Sequence, residues 1–242
     1  MRNMIEPIRS YAGSVKIIGH FNVPQQVISP RSHEYILHYS DSGTYGLPFD
    51  DLSLEEQRFD DIHDKAERFY KHDLMSKDQT QSTHNNLLFQ YFSLNRVYQM
   101  VQQSSEYPFD AYLFLRPDLQ YLDRLPVAEL LDAVIVGKFD IMTPQWHQWW
   151  GLNDRFAFCS TDAASVYCGR FERIGEIVQR NQPMNAEMIL QYCVDNAGLR
   201  SGVFGTRALR VRADGRTLVE GFELSLWLRT IIMLRKIRAR IF

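Results

Sequence analysis

The sequence predicts an α/β protein in which helices flank a mixed, mostly parallel sheet. Two observations support this fold class. Segments with helical spacing of apolar residues alternate along the chain with short β-rich segments. Residues 112–115 are apolar throughout, which is typical of a strand covered on both faces. No internal repeat or low-complexity linker interrupts the 242 residues, so a single globular domain is the simplest expectation for the core.

The individual elements are predicted from the spacing of apolar residues, with Gly, Pro and Asn marking their ends. Repeats of three or four residues indicate helices, and short runs of β-branched or aromatic residues between turn residues indicate strands. In chain order the predictions are a helix over 3–12, strands over 15–21 and 35–39, polar surface helices and loops over 47–81, a helix over 85–103, a strand over 112–115, a helix over 126–131, strands over 133–136 and 141–142, and helices over 163–180 and 185–197.

Composition excludes several classes of protein. The formal net charge of −2 does not suit a nucleic-acid binder that relies on bulk positive charge, so no nucleic-acid partner is expected. The three cysteines contain no C-x-x-C pair, which disfavours both a disulfide framework and a structural zinc site and suits the reducing cytoplasm. Neither a signal peptide nor an apolar run of 18 residues is present.

Arg116 and Asp118 follow directly after the apolar run at 112–115. A strand covered on both faces does not hold charges in its middle, so these residues are expected at its carboxyl end, where ligands bind in open α/β sheets. Asp118 could hold a divalent metal that bridges phosphates, and Arg116 could neutralise phosphate or orient Asp118. An ordinary ion pair that closes a strand explains the spacing equally well.

A second candidate segment contains three tryptophans within five residues, namely Trp146, Trp149 and Trp150. Aromatic faces could stack on sugar rings or bases, although a crowded hydrophobic corner is the alternative. The Asn153–Asp154 pair that follows could hold sugar hydroxyls, with Asp154 as a general base. Helix capping explains the same pair about as well.

Other features are less specific. Glu187 could act as a base or contact an acceptor, but acidic residues are common in the first turn of a helix. The arginines of the 207–216 segment could meet phosphates or lie on a solvated strand face. His20, His33 and His38 lack metal-ligand spacing, so hydrogen-bonded or exposed histidines are expected. The phosphate-binding, dinucleotide-binding and nucleophile-elbow motifs G-x-x-x-x-G-K-[ST], G-x-G-x-x-G and G-x-S-x-G are absent.

Together, these segments resemble a family of GT-A-type glycosyltransferases from bacteria and large viruses. The likeness lies in the order of several short motifs, none of which is specific alone, and it extends over roughly residues 3–212. The matching stretches are NMIEPI at 3–8, FDAYLFLRPD at 109–118, GLNDRFA at 151–157, the A-x-x-x-Y-x-x-R helix at 163–170 and a Pro/Glu segment at 183–187.

The resemblance implies a GT-A-like, Rossmann-like domain over 1–222 that moves a sugar from a nucleotide-sugar donor to a hydroxyl of a surface-glycan acceptor, either polysaccharide or lipid-linked. It implies that Mn²⁺ or Mg²⁺ is the divalent metal. By resemblance, the residue roles are donor binding by Arg116 and Asp118, metal binding by Asp118, sugar or acceptor binding by Gly151 and Asn153, and proton transfer by Asp154 or, as second choice, Glu187. Sugar or acceptor binding by Trp149 and Trp150 is predicted from the stacking of their aromatic faces.

Two departures from the family pattern matter. Arg116 stands where the family's Asp-x-Asp signature has its first Asp, which leaves metal dependence open. The strand and G-x-x-R turn that precede the first helix in the family are reduced to Met1–Arg2, so the first strand of the sheet is expected to be missing. Either a truncated start or weakened donor binding accounts for this.

The segment 223–242 is predicted to form an amphipathic, basic C-terminal helix. Its apolar residues, its Trp and its basic end are ingredients of a helix that lies on a membrane surface, here the inner face of the membrane. Packing of this helix on the domain is the alternative. Two other functions therefore stay open beside the transferase: a non-catalytic glycan- or nucleotide-binding module of the same fold, and a peripheral membrane interaction protein.

Overall fold

The computed structural model describes residues 2–29, 34–36, 48–71, 81–182 and 185–223. Within these ranges the protein is a mixed α/β structure with helices on both sides of its main sheet. The helices are α1 Arg2–Tyr11, α2 His63–Lys71, α3 Gln81–Gln103, α4 Val127–Ile135, α5 Thr161–Cys168, α6 Arg170–Gln179 and α7 Ala186–Asn196, with a short 3₁₀ helix at Phe59–Asp61. The strands are β1 Ile18–Val23, β2 Val27–Ser29, β3 Glu34–Ile36, β4 Asp51–Glu56, β5 Tyr112–Phe114, β6 Leu119–Tyr121, β7 Ile141–Pro144, β8 Ala157–Cys159, β9 Ser201–Phe204 and β10 Ala208–Arg210.

The main sheet has four strands in the order β5-β8-β7-β9. β8 runs antiparallel to both β5 and β7, whereas β7 and β9 are parallel. Three of the four strands, β5, β7 and β9, run in the same direction and β8 runs in the opposite one, as expected of a mixed, mostly parallel sheet. β8 is reversed because its connection from β7 is a loop without a crossover helix, which returns the chain in the opposite direction.

This topology brings several loops to one edge of the sheet. Phe114 at the end of β5 lies opposite Ala157 at the start of β8, and Pro144 at the end of β7 lies beside Phe204 at the end of β9. The segment after β5 and the whole 145–156 loop consequently meet at the same edge. β6 and β10, which pair antiparallel in a separate ladder, continue from the segments that leave this edge.

The core confirms that the sheet is covered on both faces. Neighbouring residues of one strand point into different clusters: Ile141 and Cys159 into one, Met142 and Phe158 into the other. The first cluster includes side chains of α3, α5 and α7, and the second includes those of α1 and α4. In β5, Tyr112 and Phe114 belong to the first cluster, and Leu113 packs against the second, as the apolar run predicted.

Three predicted elements differ from the structure. Residues 133–136 were expected as a strand, yet helix α4 continues to Ile135 because Val127, Leu130 and Val134 are buried at helical spacing while Ile135 is exposed. The polar 47–81 region contains a strand, β4, that pairs in parallel with β1. The helix predicted over 163–180 is two helices, α5 and α6, separated at Gly169.

Parts of other predictions lie outside the described residues. This applies to residues 37–43 of the second predicted strand and its turn, to Pro183 in the Pro/Glu segment, and to residues 224–242 of the predicted C-terminal helix. The boundary between a domain over 1–222 and a helix over 223–242 stays a prediction. Among the described helices, none combines the length and apolar character that crossing a bilayer requires.

Candidate functional site

A cleft of about 2000 Å³ runs along the whole of β5, between this strand and β1, and reaches the edge of the sheet where β5 ends and β8 begins. The polar and charged side chains that line it include Gln90 from α3, Arg116 and Asp118 after β5, Asp154 and Arg155 before β8, Glu187 in α7, and Arg210 at the end of β10.

Arg116 and Asp118 form a bidentate ion pair in this cleft. The guanidinium donates from Nε to Oδ1 at 2.9 Å and from Nη2 to Oδ2 at 2.7 Å. Burial on its own would raise the pKa of Asp118, but the charge of Arg116 and its hydrogen bonds outweigh burial and lower it. The Tyr121 hydroxyl anchors the turn, since it accepts from the backbone N–H of Arg116 and donates to its carbonyl.

Gln90 links this pair to Asp154. The third nitrogen of the guanidinium, Nη1 of Arg116, donates to Oε1 of Gln90 at 2.5 Å, and Nε2 of Gln90 donates to Oδ2 of Asp154 at 3.1 Å. One side chain of α3 therefore holds the predicted donor residue and the predicted base in a fixed relation. Gln90 could not be predicted as a site residue, because nothing in the helical pattern separates it from other glutamines of α3, such as the exposed Gln99.

Asp154 is almost fully buried, and its carboxylate lies beside the guanidinium of the buried Arg170. The Arg170 guanidinium lies between the rings of Tyr91 and Tyr167, at 4.5 and 4.3 Å from their centroids, and its Nη1 is 3.7 Å from Oδ2 of Asp154. The Tyr167 hydroxyl donates to the Asp154 carbonyl at 2.7 Å. Tyr167 and Arg170, the Tyr and Arg of the A-x-x-x-Y-x-x-R motif, thus position Asp154. The sequence alone did not predict this role.

Glu187 reaches the cleft from the first turn of α7. Asn185 caps this helix, and its Oδ1 accepts from the N–H groups of Glu187 and Met188 at 3.1 Å each. Burial, followed by the nearby charge of Asp154, raises the pKa of Glu187 to about 7. A carboxyl group with such a pKa can exchange a proton near neutral pH.

The three tryptophans of the 145–156 loop have different environments. Trp146 is buried and donates from Nε1 to the carbonyl of Thr206 at 2.9 Å, so for this residue the hydrophobic-corner alternative holds. Trp149 and Trp150 are 58% and 91% exposed and have left-handed backbones, with φ of 33° and 69°. Trp149 lines the cleft, and Trp150 projects outside it.

Gly151 and Asn153 support the loop instead of facing a ligand. A Cβ at position 151 would lie only 2.1 Å from the carbonyl oxygen of Glu187, so only glycine permits this approach of the loop to α7. Asn153 is buried, donates from Nδ2 to the Trp146 carbonyl at 2.6 Å, and accepts from the N–H of Arg155 at 3.0 Å. Direct sugar binding by these two residues is therefore not supported by their contacts.

The arginines predicted to meet phosphate or solvent divide into two groups. Arg207 and Arg216 form exposed ion pairs with Asp123 and Asp214, as a solvated face requires. Arg210 instead lines the cleft, together with Arg212. His20 is buried and its Nδ1 lies 2.9 Å from the Ser93 hydroxyl, which matches the expected hydrogen-bonded histidine; His33 and His38 lie outside the described residues.

The residues near Asp118 do not readily supply a metal site. Both carboxylate oxygens of Asp118 already accept from Arg116. Across the described ranges, no three His, Cys, Asp or Glu side chains are grouped so that they could hold an ion. A metal on the remaining lone pairs of Asp118 would lie beside the positive guanidinium of Arg116, which would repel it.

No protein-family model matches the chain, and no curated protein does. Among solved structures, the chain is similar to the crystal structure of mouse xyloside xylosyltransferase 1 in its apo form. That similarity has a TM-score of 0.34 and 11% sequence identity, and it covers 64% of this chain and 63% of that chain. The overlap is a loose spatial likeness over less than two thirds of the mouse protein.

Proposed function

We propose that the protein is a glycosyltransferase with a GT-A-like fold that moves a sugar from a nucleotide-sugar donor to a hydroxyl of a glycan acceptor, either polysaccharide or lipid-linked. One observation carries the proposal. The Arg116–Asp118 pair and two carboxyl groups, Asp154 and Glu187, line the same cleft at one sheet edge, and Gln90 couples the pair to Asp154.

The donor is proposed to bind with its diphosphate near Arg116. As the bond between the sugar C1 and the diphosphate oxygen breaks, that oxygen keeps the electron pair and negative charge develops on the leaving group. A guanidinium that is already oriented stabilises this charge without reorganisation during the reaction. Asp118 and Gln90 provide that orientation, since they hold all three nitrogens of Arg116.

The acceptor hydroxyl must lose its proton as its oxygen bonds to C1. Asp154 is our first candidate for the base because Gln90 and Arg170 hold its carboxylate at the cleft wall. Glu187 is the second candidate, and its pKa of about 7 suits proton transfer at neutral pH. Trp149 lines the same cleft as these carboxyl groups, and its exposed ring offers a face on which an acceptor sugar could stack.

We further propose that the enzyme works in the cytoplasm on an acceptor at the inner face of the membrane. Liposome flotation of the full chain and of a chain that ends at residue 223 tests this location. Flotation of the full chain alone would support membrane contact through 224–242. Equal behaviour of the two chains would contradict it.

The activity itself is tested by incubating the protein with a panel of nucleotide sugars and glycan acceptors and measuring released nucleoside diphosphate. We expect turnover with one nucleotide family. Loss of the base should reduce kcat by about 10²- to 10⁴-fold in Asp154→Asn or Glu187→Gln. Glu172→Gln, which alters an exposed carboxylate paired with Lys65, is the matched control and should retain activity.

The outcomes separate this proposal from its alternative. Nucleotide binding without turnover in any combination would favour a non-catalytic binding module of the same fold. Turnover that both Asp154→Asn and Glu187→Gln retain in full would contradict the roles assigned to the two carboxyl groups.

A further inference from the structure

Arg210 lies beside the Arg116–Asp118 pair at the end of β10. Its partner across the β6–β10 ladder is Leu119, the residue next to Asp118. The N–H of Val211 donates to the Asp118 carbonyl at 2.8 Å, which extends the contact by one residue. The backbone therefore holds Arg210 at the wall of the cleft, next to the place proposed for the donor diphosphate.

Arg210 differs from three nearby arginines because it has no carboxylate of its own. Arg116 pairs with Asp118, Arg155 with Glu220, and Arg170 with Asp154. Among the residues that the structure describes, the Arg210 side chain forms no ion pair within 4 Å, and its buried Nε has no hydrogen-bond partner.

The surroundings of Arg210 oppose its charge. Burial, followed by the positive charges of Arg116 and Arg155, lowers the pKa of Arg210 to about 10. Arg210 is partly buried, and a cation that is close to other cations and lacks a partner destabilises a fold, which makes it a candidate for a binding site. An anion in the cleft would offset the repulsion from the other two arginines.

The ligand class follows from the shape and charge of the donors. A guanidinium presents planar, paired N–H groups that match phosphate oxygens. A metal on Asp118 is a less suitable cation for a diphosphate here, because Arg116 already neutralises that carboxylate and would repel the metal.

We infer that Arg210, together with Arg116, forms a diphosphate site that works without a divalent metal. The identity of the diphosphate as part of a nucleotide sugar rests on the proposed function. The anion site itself rests on Arg210, its burial and its missing partner.

The test uses inorganic pyrophosphate as the probe, with calorimetry on the full chain in EDTA. We expect pyrophosphate to bind the wild-type protein, and Arg210→Gln to weaken binding by about 10- to 100-fold through loss of charge-assisted hydrogen bonds. Arg216→Gln, in an exposed pair with Asp214, is the control and should bind like the wild type. Binding that appears only with Mg²⁺ or Mn²⁺, or that Arg210→Gln leaves unchanged, would overturn the inference.

Asp118→Asn separates the arginine mode from a metal mode. If arginines bind the anion, pyrophosphate affinity should be the same in EDTA and with Mg²⁺, in the wild type and in Asp118→Asn alike. If a metal on Asp118 binds the anion, Mg²⁺ should raise the affinity of the wild type, and Asp118→Asn should lose that increase. A tenfold or larger increase with Mg²⁺ that Asp118→Asn removes would therefore contradict metal-independent binding.

The folded state is checked in the same experiments. Arg210→Gln removes a partly buried, unpaired charge, so we expect it to unfold at the same temperature as the wild type or higher without ligand. If it fails to fold, Arg210→Lys keeps the charge and should show a smaller loss of affinity. Metal-free pyrophosphate binding without sugar transfer would refute only the proposed function, whereas transfer that strictly requires a metal would refute only this inference.

Discussion

Gly151 holds the 145–156 loop against helix α7. The position a Cβ would take lies 2.1 Å from the carbonyl oxygen of Glu187 and 2.3 Å from its carbonyl carbon, both of which are backbone atoms. The N–H of Leu152 donates to the same carbonyl at 3.1 Å. Any side chain here must therefore separate the loop that carries Asp154 from the helix that carries Glu187.

Gly151→Ala is predicted to destabilise the protein by about 1–3 kcal/mol or more. The added methyl group would clash with backbone atoms of Glu187, which cannot move aside as a flexible side chain can. Urea unfolding measures the change. Gly13→Ala is the control, since a Cβ at position 13 meets nothing within 4 Å, and its effect should stay within about 0.5 kcal/mol. Equal stability of the two variants would contradict the close approach at Gly151.

Glu187 makes stability depend on pH in a defined direction. Its folded pKa of about 7 is above the ordinary value of 4.5, so the folded protein keeps a proton that the unfolded chain releases between these values. The stability that the protonated Glu187 contributes is therefore fully present below pH 4.5 and is lost as the pH rises to about 7. Glu187→Gln should therefore gain stability relative to the wild type across this window, by about 1–3 kcal/mol.

Denaturant unfolding at pH 4.5, 6 and 8 measures this difference for Glu187→Gln. The exposed Glu172→Gln should show no such trend and is the matched control. A difference between Glu187→Gln and the wild type that is constant over the range would show that the Glu187 carboxyl is not perturbed as described.

The candidate residues were predictable to different degrees. Arg116 and Asp118 were found because charges next to a buried strand lie at its end, whereas Asp154 was found through the Asn153–Asp154 pair and the family resemblance. Gln90 and Arg170 were not found, because their importance comes from partners more than 15 residues away in sequence. The sequence contains the residues but not these contacts.

Helices α5 and α6 show how a break in a helix serves the site. The chain turns at Gly169, and Arg170 begins α6 with its side chain fully buried between Tyr91 and Tyr167. Continuous apolar spacing over 163–180 predicted one helix, since periodicity shows which face is buried but not where the axis changes direction. The same limitation produced the false strand at 133–136.

Arg170→Met is predicted to destabilise the protein by about 3–5 kcal/mol, because it leaves the buried carboxylate of Asp154 without its cation. The neutralising variant Asp154→Asn, combined with Arg170→Met, should recover part of this loss. Arg173→Met on the same helix alters a partly exposed arginine and is the control. A loss for Arg170→Met no larger than that of Arg173→Met would contradict a structural ion pair with Asp154.

Considered as one body, the described chain concentrates its unusual features at a single edge of the main sheet. Loops after β5, between β7 and β8, and after β10 meet there with the start of α7, and the cleft lies between them. Elsewhere, exposed arginines such as Arg200 and Arg207 simply pair with Asp140 and Asp123. The α/β class and both-face coverage were predictable from apolar patterns, whereas the reversed direction of β8 depended on a loop that the pattern does not describe.

The most direct test is a thermal-shift screen of nucleoside diphosphates and nucleotide sugars against the full chain, in EDTA and with Mn²⁺ or Mg²⁺. We predict that one nucleotide family stabilises the protein, by about 2.7 kcal/mol at 100 times its Kd. Arg116→Gln should abolish the shift, and Arg216→Gln should retain it. No shift with any nucleotide in well-folded protein would contradict the assignment of this cleft to a nucleotide-sugar donor.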